Sequence, residues 1–254
     1  MKFTTAAALL SMTLMLGTGL SSSARAAEFN ASQKQEMEGL IRDYLINHPE
    51  IIRDMSQALD KKDKLTEAAQ RLEVLKRDGS QVFRNPGDYV AGNPKGDVTI
   101  VEFFDYNCSW CKKGFPEVVS LVEQDKKLRF VLKEFPIFGE DSEYAAAAAL
   151  AAKRQGKYWP FHIAMFSHSG KITKASVDEI AKAQGIDVAK MKKDMNDPAI
   201  SQTILQNRTL AQTLAINGTP AFIIDDKLIP GYLPGPELAA TIAEVRAKGG
   251  CTIC

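Results

Sequence analysis

Histidine and cysteine are scarce: the 254 residues hold three of the first and four of the second. His48, His162 and His168 are too scattered along the chain to form a metal constellation, and each is expected on the surface or in packing. Charge of one sign is also missing, because 32 basic and 31 acidic residues leave a formal net charge of +1. That balance provides no field for nucleic acid or acidic ligands, so no nucleic-acid partner is expected. The chain has no internal repeat, no glycine-rich phosphate loop and no paired carboxylates that would mark other chemistry. Beyond residue 20 no segment is long and apolar enough to span a bilayer.

What is present begins at the amino terminus. Lys2, an apolar stretch from Ala6 to Leu20 and the small-residue site Ala24-Arg25-Ala26 have the pattern of a cleaved secretory signal over residues 1–26. The apolar core is short and rich in Ala, Ser, Thr and Gly, which disfavours a permanent anchor. Export into an oxidising space such as a bacterial periplasm is expected, where cysteine chemistry persists.

Residues 27–80 then read as a helical stalk, broken at Asn47-His48-Pro49 because proline disfavours helical geometry in the residue before it. Met37, Leu40, Ile41, Tyr44 and Leu45 form one apolar stripe. Ile52, Met55 and Leu59 begin another, which Leu65, Ala69, Leu72 and Leu75 resume after a charged interruption. An apolar edge needs a partner, so the stalk is read as a homo-oligomerisation region; folding back on its own domain is the competing reading. Asp78-Gly79-Ser80 and Asn85-Pro86-Gly87 are expected to form a linker, with a domain of ordinary size over residues 81–254.

The most informative stretch is Val101-Glu102-Phe103-Phe104-Asp105-Tyr106-Asn107-Cys108-Ser109-Trp110-Cys111, a strand-like run that delivers a Cys-x-x-Cys pair onto a helix start. Two cysteines across one helical turn can close and reopen a disulfide with little backbone motion. The first sulfur sits among unpaired N–H groups at the positive end of the helix dipole, which favours its thiolate. Such sites lower a cysteine pKa from about 8.5 to roughly 3.5–7.5. Cys108 is therefore the expected nucleophile and Cys111 the resolving thiol. Half a zinc site or an inert disulfide has the same spacing, so context must decide.

One such context is Glu102, which strand alternation places on one face with Ile100 and Phe104. A desolvated carboxyl there has a raised pKa and can exchange protons with a departing thiol; an edge-strand charge reaching solvent is the plainer alternative. The other is Asn217-Gly218-Thr219-Pro220-Ala221-Phe222, which leads from a helical pattern into an apolar strand.

Together the strand, the Cys-x-x-Cys and the Thr-Pro resemble the thioredoxin superfamily. Val101-Glu-Phe-Phe104 and Phe130-Val-Leu-Lys-Glu-Phe-Pro136 are similar to the central strands of periplasmic DsbA-like proteins, and a long helical segment between those strands and Thr219-Pro220 completes the resemblance, which covers about Asp88 to Gly249. The resemblance implies an α/β, thioredoxin-like fold with an inserted helical domain at about 139–214, preceded by the stalk. It implies a cis Thr219-Pro220 bond beside the disulfide, with Ser109, Trp110, Thr219 and Pro220 meeting an extended substrate. The layout also resembles the suppressor-of-copper-sensitivity (ScsC-like) group, which has an amino-terminal oligomerisation helix.

The dipeptide departs from the prototype, which carries Pro-His where this chain has Ser109-Trp110. Tryptophan offers an aromatic surface and a single N–H donor, so the couple is expected to be less oxidising than the prototype's roughly −120 mV. Thr219 before the proline resembles the isomerase branch. The leading expectation is thus an exported disulfide isomerase acting on unfolded or misoxidised exported proteins and reset by a membrane redox partner. A DsbA-like oxidase and a copper-binding or copper-tolerance protein are the alternatives.

Helical patterns are expected from Glu143 to about Gln155, capped by Asp141-Ser142, then at 159–166, 176–184, 188–195 and 200–214. A hairpin about Asp225-Asp226 and a helix over 237–248 close the domain. Finally, Cys251-Thr252-Ile253-Cys254 follows Gly249-Gly250 and reads as a short mobile tail. A structural disulfide, an auxiliary redox pair exchanging with Cys108-Cys111, and a soft-metal site all fit it. No cofactor or metal site is expected otherwise, copper at Cys251 and Cys254 being the open candidate.

Overall fold

A computed structural model describes residues 29–254. The expected signal segment, residues 1–26, lies outside the described residues. The described residues divide into two units, the first ending at residue 61 and the second spanning 62–254.

In the first unit, Asn30 opens helix α1 (Ala31–Asn47) with a reciprocal capping box to Gln33. Pro49 ends that helix as the sequence implies, and α2 (Glu50–Phe83) begins directly after it. Leu40, Ile41, Tyr44, Ile52, Met55 and Leu59 are all exposed, and α1 buries no residue.

The second unit is built on a five-stranded sheet. Its strands are β1 (Tyr89–Gly92), β2 (Val98–Phe104), β3 (Leu128–Glu134), β4 (Ala221–Ile224) and β5 (Lys227–Pro230), in the order β1-β3-β2-β4-β5. Only the β2–β3 pair is parallel. Helix α3 (Ser109–Gln124) makes the crossover between them. Every residue of β2 is buried, as expected of a strand covered on both faces. Alternation sends Ile100 and Phe104 into one core cluster and Val101 and Phe103 into the other.

A helical layer follows β3: α4 (Glu140–Lys153), α5 (Tyr158–Ser167), α6 (Lys174–Ala183), α7 (Val188–Met195) and α8 (Pro198–Thr213). The alanines of α4 let it pack closely in the first cluster, and α9 (Gly235–Ala247) closes the unit. Among the described residues no helix is long and apolar enough to cross a membrane.

Three local expectations are corrected. Asp78-Gly79-Ser80 is no linker, because α2 continues to Phe83 and buries Leu75, Val82 and Phe83 in the second cluster. Strand β3 terminates that helix: Arg129 donates to the Phe83 carbonyl at 2.6 Å, and Lys133 donates to that of Gln81. Cations on last-turn carbonyls satisfy the orphan acceptors and complement the dipole. Lys133 itself is fully buried against Asp88. The Asp141-Ser142 cap is also absent, since Gly139 is the N-cap of α4 and the Ser142 hydroxyl donates to Asp105 at 2.7 Å. Nor is the segment after Gly250 loose, because Ile253 and Cys254 pack on the second cluster and Cys251–Cys254 is closed as a disulfide.

Candidate active site

Cys108 is the N-cap of α3, with its sulfur accepting the Cys111 backbone N–H at 3.3 Å. The loop that brings it there is organised by Asp105, which is 2% exposed. One carboxylate oxygen accepts from Asn107 N at 2.7 Å and Ser142 Oγ at 2.7 Å; the other accepts from Ile137 N at 2.7 Å and Phe138 N at 3.1 Å. The Asn107 side chain adds bonds to both backbone groups of Ile172. A buried carboxylate so supplied with donors fixes the strand-to-helix turn against the helical layer.

The Thr219-Pro220 bond is cis and lies beside this turn. The Cys108 thiol donates to the Thr219 carbonyl at 3.1 Å, while the Thr219 hydroxyl is buried without a hydrogen-bond partner. Cys108 and Cys111 are both free thiols and both buried. The Cys111 thiol, against burial, holds the Cys108 pKa down to about 6; the nearby Thr219 side chain and the Cys111 and Trp110 backbone amides add to that lowering. Donors to sulfur thus outweigh the carbonyl contact, which favours the protonated form. Burial pushes Cys111 well above the usual thiol range, reinforced by Cys108 and Glu102.

Glu102 sits on the central strand β2, registered against Leu132 and Phe222, which excludes the edge-strand alternative. It is 7% exposed, and burial followed by the Cys108 charge pushes its pKa up to about 8. One thiol is therefore ionised near neutral pH beside another that is held protonated, with a carboxyl able to take up or release a proton in the same range.

The rim is aromatic. Trp110 is 53% exposed and stacks on Tyr232 at 5.7 Å, with Lys113 Nζ 4.7 Å and 5.0 Å from the two ring centroids. Ile137 and Phe138 are exposed on the loop that Asp105 holds. Ser109, the first residue of α3, is exposed. Beneath the turn, Tyr106 bridges Glu134 Oε1 at 3.2 Å and His162 Nδ1 at 2.8 Å, and Tyr158 donates to the same Glu134 oxygen at 2.7 Å. Burial raises Glu134 well above the carboxylate range and lowers His162 to about 3, so the cluster is neutral. Of the histidines, His162 is thus a packing residue, stacked on Tyr158 and Trp159.

Sequence reasoning missed Asp105, Asn107, Lys113 and Tyr232. The Asp105-x-Asn107 turn signal was readable, since the Asp side chain bonds the backbone two residues on. The pairing of Trp110 with Tyr232 had no local signal.

Comparison with known proteins is consistent along the chain. Residues 99–243 match the DSBA-like thioredoxin domain, and residues 33–64 match the copper resistance protein ScsC N-terminal domain. A thioredoxin-like oxidoreductase from Silicibacter pomeroyi DSS-3 is 44% identical, with a TM-score of 0.65, covering 66% of this chain and 97% of its own. Proteus mirabilis ScsC in a transitional conformation is 27% identical with a TM-score of 0.65, covering 87% of this chain and all of its own (100%). Disulfide bond formation protein D of Bacillus subtilis is 25% identical over 175 residues, 64% of this chain and 78% of that protein. The chain also matches the Na(+)/H(+) antiporter NhaA 3 of Salinispora tropica, but spans only about a quarter of its length, 26%. This chain therefore belongs to the DsbA-like thioredoxin-domain family of thiol-disulfide oxidoreductases, with a ScsC-type N-terminal domain ahead of the catalytic one.

Proposed function

We propose that the protein is an exported, periplasmic disulfide isomerase. The observation that carries the reading is the donor set at the Cys108 sulfur: Ser109-Trp110 places no cationic side chain between the cysteines, and the sulfur accepts the Cys111 amide at 3.3 Å, in keeping with a pKa lowered to about 6 where the strongly oxidising DsbA prototype reaches roughly 3.5. A less stabilised thiolate makes the couple less oxidising, so the Cys108-Cys111 disulfide is a weaker oxidant of substrate thiols, and the dithiol, kept reduced by a redox partner, is free to attack wrong disulfides. Cys108 attacks one sulfur of the substrate disulfide; its bond to the other breaks and that sulfur leaves as a thiolate. A substrate thiol then displaces Cys108, completing the shuffle, or Cys111 attacks Cys108 and releases reduced substrate. Glu102 takes the proton from Cys111 in that second route. Thr219 and Pro220 align the substrate backbone beside Cys108, and Trp110, with Ser109 at the helix start, meets its side chains.

The substrates in this reading are unfolded or misoxidised exported proteins, and a membrane redox partner restores the dithiol. The exposed apolar stripe of α1 and early α2 is the oligomerisation surface, and facing active sites would hold a substrate while bonds are tested. Similarity to disulfide bond formation protein D favours a second reading, a dithiol oxidase.

Reactivation of a scrambled-disulfide enzyme tests the proposal, comparing residues 27–254 with a form that lacks 27–61. This cut spares Leu75, Val82 and Phe83, which the second core needs. Reactivation by the longer form alone supports a stalk-dependent isomerase. Failure of both forms, with rapid oxidation of reduced substrate, would select the oxidase.

A further inference from the structure

The second Cys-x-x-Cys is pinned by a single acid. Asp225 stands in the turn between β4 and β5 with φ +52°, and it is buried while Cys251 and Cys254 are partly exposed. Its Oδ1 accepts from Thr252 N at 2.7 Å and Ile253 N at 3.0 Å; the Thr252 hydroxyl lies 3.0 Å from Oδ1 and 3.1 Å from Oδ2. Gly250 N donates to the Val245 carbonyl at 3.0 Å, and Arg84 donates to the Cys254 carbonyl at 2.8 Å. One ligand atom from each of Asp225, Cys251 and Cys254 lies within 4.8 Å of the other two.

Two sulfurs and an oriented carboxylate make a donor set. Both backbone N–H bonds fall on Oδ1, which leaves Oδ2 with only a hydroxyl whose proton can turn away. Backbone donors that fix a ligating carboxylate are what a metal site needs around it. A linear Cu(I) site would use the sulfurs alone, whereas a carboxylate beside two thiolates suits a borderline divalent ion with water in the fourth position. The cluster is also separate from Cys108. Pro220 precedes β4 and Asp225 follows it, so about 13–16 Å of strand lies between the two sites at roughly 3.3 Å per residue.

We propose that reduced Cys251 and Cys254, with Asp225, bind a zinc-class divalent cation. A dithiol reductant passes two electrons to the Cys251–Cys254 disulfide, which becomes two thiols while the reductant becomes a disulfide. The ion then displaces one proton from each thiol and takes Oδ2 of Asp225. A disulfide oxidant takes two electrons from the bound thiolates and leaves as a dithiol, re-forming the Cys251–Cys254 bond and expelling the ion, so occupancy reports the redox state of this segment.

The test uses the protein with Cys108→Ser and Cys111→Ser, so that the second pair supplies the only thiols. Titration with Co2+ after reduction should give one bound ion with a thiolate-to-cobalt charge-transfer band, displaced by Zn2+; the oxidised protein should give none. Asp225→Asn keeps an acceptor for the Thr252 and Ile253 amides and should weaken binding about 10–100-fold. Cys251→Ser with Cys254→Ser should abolish it. The proposal is overturned if Co2+ and Zn2+ bind no better than to that double variant, or if Asp225→Asn binds as tightly as its parent. Retention of Cu(I) alone, indifferent to Asp225, would replace it with a two-sulfur site.

Discussion

Two Cys-x-x-Cys pairs of identical spacing differ in nearly everything that surrounds them. Cys108 caps a helix, receives hydrogen bonds to sulfur, and lies beside a cis proline and a buried carboxyl. Cys251 and Cys254 lie outside any helix or strand, closed as a disulfide and held by a carboxylate that bonds their intervening backbone. Spacing permits a disulfide; reactivity comes from the donors and charges aimed at the sulfur.

Substitution at the two pairs breaks the comparison most sharply. Cys108→Ser should reduce thiol-disulfide exchange to the uncatalysed background, whereas Cys251→Ser with Cys254→Ser should leave it unchanged; insulin reduction assays would measure both. Equal losses would mean that the second pair takes part in turnover.

The two organising aspartates should differ next. Asp105→Ala leaves the amides of Asn107, Ile137 and Phe138 and the Ser142 hydroxyl without their acceptor in a buried site, and should destabilise the fold by about 2–4 kcal/mol in urea unfolding. Asp225→Ala, at a partly exposed segment, should cost about 1 kcal/mol. A smaller effect at Asp105 would mean that the active-site turn is held by something else.

Glu102 offers a pH test with a definite sign. Its folded pKa of about 8 exceeds the unfolded value of about 4.3, so ionisation destabilises the fold increasingly as pH rises from about 4.3 to 8. Glu102→Gln should therefore be more stable than the parent at pH 7, by on the order of 1–3 kcal/mol, with the advantage gone near pH 4. It should also slow the step in which Cys111 loses its proton. Thermal melts at both pH values decide the first point. Trp110→Ala should have the smallest effect, raising KM for a peptide disulfide a few-fold with little change in kcat, since it removes rim contacts and leaves the sulfur donors in place.

Much of this was legible because it is local. The strand-then-helix placement of Cys108 and Cys111, the face carrying Glu102, the Pro49 break and the hairpin at Asp225-Asp226 all follow from periodicity and turn chemistry over a few residues. The misses are long-range. Ser142 serves Asp105 across 37 residues instead of capping its own helix, and β3 supplies the cations that cap the end of α2 beyond Gly79. The segment after Gly250 reads as loose because its anchors are 27 and 28 residues upstream. Neighbours so distant in sequence leave no periodic trace.

The pH dependence of thiol alkylation in the reduced protein, followed residue by residue by mass spectrometry, tests the central claim most directly. Cys108 should react with a midpoint near pH 6 while Cys111 stays unreactive across the neutral range. A Cys108 midpoint near the ordinary thiol value of about 8.5, or equal reactivity of the two sulfurs, would contradict the account.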